Sequence, residues 1–308
     1  MKLIFMGTPD FAVPTLESLI RAGHEVRAVV TAADKPAGRG RQLQSSPVKQ
    51  AALNHSIPVL QPEKLRDPDF LQALSGYEAD LFVVVAFRML PEVVWQMPPK
   101  GTINLHASLL PDYRGAAPIN HVLINGETET GATTFFIEKE IDTGQILLQY
   151  NTPISPEWNA GDLHDHLSIK GADLVVETLA GLEAGMLQPR PQDISLALHA
   201  APKIFRETCK LDFHQPASAL HNLVRGLSPY PGAWCTANGM VVKIYKTAPA
   251  MMFSAPPVPG KVLKSGKHLL VSGQDAWLEI LELQPEGKKR MEASAFLLGH
   301  DLPEFLNT

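Results

Sequence analysis

Cysteine is almost missing from this 308-residue chain: only Cys209 and Cys235 occur, in no C-x-x-C pair and at no zinc-binding spacing. That excludes a disulfide scaffold and suits a reducing compartment. Long hydrophobic runs are missing too. No stretch approaches the roughly 18 apolar residues that span a bilayer. The opening MKLIFMGTPD is too short an apolar run for a secretion signal and has no small-residue cleavage site. The expectation is a cytoplasmic protein with no membrane partner. Glycine fingerprints for phosphate are also lacking: Gly7 has no companions of a G-x-G-x-x-G, and no G-x-x-x-x-G-K-[ST] occurs. No metal site is expected, because His164 and His166 are two apart in a helical stretch and point to different sides.

What is present is ordinary globular material, 45% hydrophobic and 19% charged, in a chain long enough for two domains. The net charge of −5 is unevenly spread. From Ala200 onward 12 Lys and Arg face 9 Asp and Glu, whereas the earlier residues hold 15 against 23. A mildly basic tail half is compatible with a polyanionic partner and equally with plain surface charge.

The first 188 residues alternate short buried strands with helices. Lys2–Met6, HEVRAVV, ADLFVVVAF and GTINLHA read as strands, and Phe11, Leu16, Leu19 and Ile20 mark one helix face that stops at Gly23. GATTFFIEKEIDTGQILLQYNTPI holds two more strands around a turn at Asp142-Thr143-Gly144, and a helix follows from about Asp162 to Ala184. This is an α/β pattern with a mostly parallel sheet, which binds ligands beyond the carboxyl ends of its strands. Residues 189–206 are Pro-rich without a clean period and read as a linker. Residues 207–308 carry short alternating runs broken by Gly and Pro, the pattern of a small OB-like β-barrel.

One strand ends oddly. In TINLHASLLPDYRGAAPI, Asn104 and His106 lie two apart and so share a face, while Ile103 and Leu105 take the other. Backbone partners could satisfy the pair as a structural feature. Three neighbours point instead to chemistry: Asp142 in a turn at another strand end, the polar break in VVAFRMLP, and the backbone N–H groups and Arg114 of PDYRGAAP. An amide, an imidazole and a carboxylate beside a loop match acyl transfer to an amine. Asn104 and His106 would stabilise the oxyanion, and Asp142 would orient His106 and help remove a proton from the amine.

Together, FMGTPDFAVP, ADKPAGRGRQLQSSPVK, INLHASLLPDYRGAAPI, IDTG and VRGLSPYPGAW resemble the folate-dependent formyltransferase family over almost the full length. The KPAGRG loop and second domain are similar to the branch that formylates methionyl initiator tRNA for translation initiation. The resemblance implies a Rossmann-like formyltransferase domain and 10-formyltetrahydrofolate as formyl donor, without a metal. It implies Asn104, His106 and Asp142 as the catalytic set. Ser108, Leu109, Leu110 and Pro111 would line the folate site, and Phe87, Arg88, Met89 and Leu90 would wrap the pterin, largely through backbone groups. Two departures are visible. Many relatives carry Ala-Tyr-Gly where this chain has Ala86-Phe87-Arg88, and Asp where it has Gln145.

The loop DKPAGRGRQLQSSPVK holds Lys35, Arg39, Arg41 and Lys49 against one acid, Asp34. It reads as a solvated surface loop or as a phosphate grip that orders on binding. The resemblance favours the second, with Lys35, Arg39 and Arg41 on the tRNA acceptor end and the second domain as a further tRNA-binding module of a monomer. Two alternatives stand beside it: a formyltransferase for a small amine, and a non-enzymatic RNA-binding protein that keeps the first domain as scaffold.

Overall fold

A computed structural model describes residues 1–37, 42–250, 255–300 and 302–307. It divides into two compact units. The first comprises residues 1–115, 130–152 and 164–200; the second comprises 116–129, 153–163 and 201–308.

The first unit is built on a seven-stranded sheet. Its strands are β1 (Lys2–Gly7), β2 (Glu25–Val30), β3 (Val59–Leu60), β4 (Leu81–Val85), β5 (Thr102–His106), β6 (Glu129–Phe136) and β7 (Ile146–Pro153), in the order β7-β6-β5-β4-β1-β2-β3. The five from β3 to β5 pair in parallel, and β6 runs antiparallel to β5. Burial on both faces explains the unbroken apolar runs. Ile4, Met6, Ala28, Val30, Phe82 and Val84 pack on one face with Phe70 and Leu74. The alternating Leu3, Phe5, Val29, Leu81 and Val83 are fully buried on the other. The chain leaves β1 for β2 and β3 on one side, then crosses to β4 and β5 on the other. The strand order therefore reverses at β1, and a crevice at the carboxyl ends is the expected ligand site.

The 24-residue helix Ala160–Glu183 takes the face that carries Ile103 and Leu105. At Gly171 an added Cβ would stand 2.7 Å from Leu105. The apolar side of β5 is thus closed by a helix, and Asn104 and His106 face away from it.

The second unit is an antiparallel sheet of β8 (Ala233–Ala237), β9 (Met240–Pro249), β10 (Val262–Ser265), β11 (His268–Ser272) and β12 (Trp277–Pro285), in the order β8-β9-β12-β11-β10, with β13 (Met291–Glu292) paired to β12. Residues 304–307 join its two edges. Asn307 bonds Thr236 beside β8, and Leu306 and Glu304 bond Gly260 and Val262 at β10. That closes the sheet into the expected barrel and leaves neither edge strand open there. Alternate residues of β8 (Ala233, Cys235, Ala237) point inward against Leu220 and Val224 of the helix Ala217–Gly226.

Candidate active site

β5 delivers Asn104 and His106 to its carboxyl end, opposite Phe135 and Thr133 of β6. The following segment is pinned to β6 and β7 by side chains. Ser108 Oγ donates to the Asp112 carbonyl at 2.7 Å. Thr133 Oγ1 donates to the Ser108 carbonyl at 2.7 Å and accepts from the Leu110 N–H at 3.1 Å, and Gln149 Nε2 donates to the Leu110 carbonyl at 2.8 Å. The Leu110–Pro111 peptide is cis. So the four residues expected to line a folate, Ser108 to Pro111, form a fixed rim directly after β5.

The rim turns the Tyr113 carbonyl toward His106, 2.9 Å from Nε2. A carbonyl oxygen only accepts, so Nε2 carries the proton, and in the neutral ring the lone pair lies on Nδ1. Nδ1 faces Asp142 Oδ2 at 3.8 Å, with the two side chains only 7% and 13% exposed. A proton added to Nδ1 therefore creates a cation held against a carboxylate, in surroundings where water screens it weakly. Asn104 is half-buried, and its amide makes no hydrogen bond among the described residues. It is a donor left over on the same face as the imidazole.

Asp142 sits in the turn between β6 and β7 with φ +55°, in the left-handed region where a non-glycine residue needs support. The support is explicit. The Gly115 N–H donates to Oδ2 at 3.0 Å, while Oδ1 has no partner among the described residues. Gln192 Nε2 donates to the carbonyls of Asp142 (2.9 Å) and Gly144 (2.8 Å), and its Oε1 accepts from Arg114 Nε and Nη2. Both polar atoms of the Gln192 side chain are thereby committed, the nitrogen to this turn and the oxygen to Arg114. Gly144 is required as well, because a Cβ there would stand 1.7 Å from the Phe136 carbonyl oxygen.

Phe87 to Leu90 follow β4, after a turn at Ala86 with φ +48°. Leu90 belongs to the core cluster and the partly buried Phe87 packs against it, while Met89 is 71% exposed. Arg88, which departs from the family pattern, donates to the Pro62 and Glu63 carbonyls and so ties this segment to the chain beyond β3. The basic loop is only partly visible. Lys35 lies in the hairpin strand Lys35–Ala37, paired with Gln42–Gln44; Arg39 and Arg41 lie outside the described residues. Lys49 is no free loop cation: it sits in the helix Pro47–Asn54 and donates to Asp34 (2.6 Å) and Gln61 (2.7 Å). The Lys49 bond, joined by one from Gln61 Nε2 at 2.8 Å, holds the Asp34 carboxyl below its usual range.

The structure thus brings His106 and Asp142 together, sets Asn104 on the same face and places both expected folate segments at the carboxyl ends of β4 and β5. Gln192, Thr133 and the Tyr113 carbonyl were not foreseen. Thr133 had a signal, as a hydroxyl inside a buried apolar strand. Gln192 had none, because it lies in the Pro-rich stretch that reads as a linker.

Residues 1–179 match the family model described as formyl transferase, and residues 203–301 match its C-terminal domain. The chain belongs to the formyltransferase family. It is 49% identical to a methionyl-tRNA formyltransferase of Bacteroides fragilis, across 99% of this chain and 96% of that one. It is 50% identical to a methionyl-tRNA formyltransferase of Solibacter usitatus, across 99% and 97%. Among solved structures it shares its fold with WlaRD, a sugar 3N-formyl transferase crystallised with dTDP and 5-N-formyl-THF; the TM-score is 0.70 at 20% identity, with 94% of this chain and 99% of that chain covered. Among the described residues of this family member, no group of His, Cys, Asp or Glu could hold a metal ion, and no helix is long and apolar enough to cross a membrane.

Proposed function

We propose that this protein transfers the formyl group of 10-formyltetrahydrofolate to the free amine of methionyl initiator tRNA, producing the formylmethionyl-tRNA used to start translation. It would do so as a cytoplasmic monomer. The observation that carries the reading is the His106–Asp142 pair, held at 3.8 Å beside a rim built from Ser108 to Pro111. Near 50% identity to methionyl-tRNA formyltransferases over almost the full length supports the choice of amine.

The amine nitrogen bonds to the formyl carbon, one proton leaves that nitrogen, and the carbon's bond to the folate nitrogen breaks as that nitrogen gains a proton. Asp142 Oδ1, the oxygen with no partner among the described residues, takes the amine proton directly or through water. Asn104 Nδ2 and, once protonated, His106 Nδ1 donate to the oxygen that becomes negative in the tetrahedral intermediate. The Tyr113 carbonyl fixes the ring so that the second N–H forms on the Asp142 side. Phe87 to Leu90 and Ser108 to Pro111 hold the folate. In this reading residues 1–188 form the catalytic domain and 189–206 the linker. Residues 207–308 bind tRNA, with Lys35, Arg39 and Arg41 on its acceptor end.

Mass spectrometry of methionyl-tRNA incubated with the protein and the formyl donor tests this. One formyl group on the methionyl ester, with free amino sugars left unmodified, is the expected result. Formylation of the small amine alone would replace the reading with its relative.

A further inference from the structure

The Tyr113 carbonyl that faces His106 Nε2 is aimed by an unfavourable backbone. Tyr113 has φ +58°, in the left-handed region that a bulky side chain rarely takes. Such a conformation persists only where the surroundings over-determine it. Here they come from far along the chain, though from within the same unit. The Tyr113 N–H donates to the His199 carbonyl at 2.9 Å. The His199 ring lies over the Tyr113 ring, with centroids 5.0 Å apart and planes 18° from parallel.

His199 is in turn clamped to the residue before Tyr113. Its backbone N–H donates to Asp112 Oδ1 at 2.6 Å, and its Nδ1 stands 3.1 Å from Asp112 Oδ2. A carboxylate only accepts, so Nδ1 carries the proton there. Asp112 is itself fixed from the rim: its N–H donates to the Leu109 carbonyl at 3.1 Å, and its carbonyl accepts the Ser108 hydroxyl. The clamp therefore joins the folate rim, Tyr113 and the stretch 190–200 at one point, directly behind the imidazole.

A residue that touches substrate keeps its polar groups and ring faces for that substrate. One face of His199 is already against Tyr113, and its Nδ1 is already on Asp112. An exposed ion pair contributes little to stability by itself. What sets this one apart is the carbonyl it aims. We infer that His199 is a positioning residue for His106, acting through Tyr113. With the clamp closed, the Tyr113 carbonyl keeps the ring proton on Nε2 and leaves Nδ1 toward Asp142. With it open, Tyr113 relaxes toward the right-handed region, its carbonyl turns away, and the ring proton is free to sit on either nitrogen. That this slows turnover rests on the proposed reaction; that it changes His106 does not.

The test uses the full chain labelled with 15N-histidine, at about pH 8, where an ordinary imidazole is neutral. The His106 signal is the one lost in His106→Ala. It should show the proton on Nε2 alone in the unsubstituted protein and shared between Nε2 and Nδ1 in His199→Ala. The His199 side chain is 39% exposed, so its truncation leaves the core intact. Formyl transfer by His199→Ala should fall about 10-fold in kcat, with both KM values nearly unchanged. His199→Asn, whose amide can replace Nδ1–H toward Asp112, should recover most of the rate and the single His106 signal, because a bond to a charged acceptor is the stronger hold. An unchanged His106 signal in His199→Ala, a raised KM for tRNA with kcat unaltered, or failure of His199→Asn to recover the rate would overturn the positioning role. A His106 signal that responds to His199 in a protein that formylates no tRNA would keep the clamp and refute the proposed reaction.

Discussion

The two units place their polar groups in opposite ways. In the first, His106 and Asp142 are largely buried and held by hydrogen bonds. His106 is fixed by a carbonyl, Asp142 by a backbone N–H, and its turn by the side-chain nitrogen of Gln192. In the second, the cations around Trp234 are exposed and form no ion pair among the described residues, and the neighbouring rings face solvent. The difference fits the two tasks proposed for them. Stabilising charge that appears on one oxygen needs donors already in position, because reorganising them at that moment would raise the barrier. Gripping a polyanion needs charge whose counterions can be released, and a cation already paired to a carboxylate has little left to offer.

The proposed roles predict that variants at His106, Asp142 and Gln192 lower kcat, and that variants of the cations assigned to RNA raise its KM. The largest effect is expected at the proposed catalytic groups. His106→Ala and Asp142→Asn should each slow formyl transfer by about 10² to 10⁴, measured as single-turnover rates with both substrates saturating. Next is the turn that carries Asp142. Gln192→Ala should cost about 10-fold in kcat with both KM values nearly unchanged, since the carboxylate remains but its orientation loosens. Loss of KM alone would mean that Gln192 serves binding. Smaller still, Arg39→Ala should raise KM for tRNA several-fold, reduce its salt dependence and leave the KM for folate unaltered.

Two measurements probe the barrel itself. Burial pushes the Cys235 thiol up to about 12, so at pH 8 about one thiol in ten thousand is ionised. A thiol-specific reagent should label Cys235 only when the second unit opens, and rapid labelling in the native state would contradict the closed barrel. Burial, assisted by Arg225, lowers the pKa of His221, which also bonds Thr247. The unfolded chain then binds the proton more readily than the folded one. This contribution to stability is present above the ordinary histidine pKa near 6.5 and is lost as pH falls through the lowered value. His221→Gln should flatten the acid side of the stability profile, read by thermal melts between pH 7 and 5.

Much of the first unit was legible because its signals are local. Period-two burial and unbroken β-branched runs mark β1, β2 and β4, and the two-residue spacing of Asn104 and His106 settles their common face. The two-residue β3 lacked such a run and went unseen. The barrel was legible as alternating strands, but its closure by residues 304–307 depends on a pairing with Thr236 across some 70 positions, which no local pattern encodes. The same limit hid Gln192, whose partners lie 48 to 78 residues away. Lys49 was misjudged for the converse reason. Composition counted its charge within a basic loop, whereas its ammonium is spent on Asp34 and Gln61.

Whether the imidazole and the carboxylate act on one reacting carbon is tested most directly by a double-mutant cycle on His106→Ala and Asp142→Asn, read as single-turnover formyl transfer to methionyl-tRNA. Groups that work as a unit give a double variant little slower than the worse single one. Losses that multiply, or a near-normal rate in either single variant with the fold intact, would show that the two residues do not share the reaction.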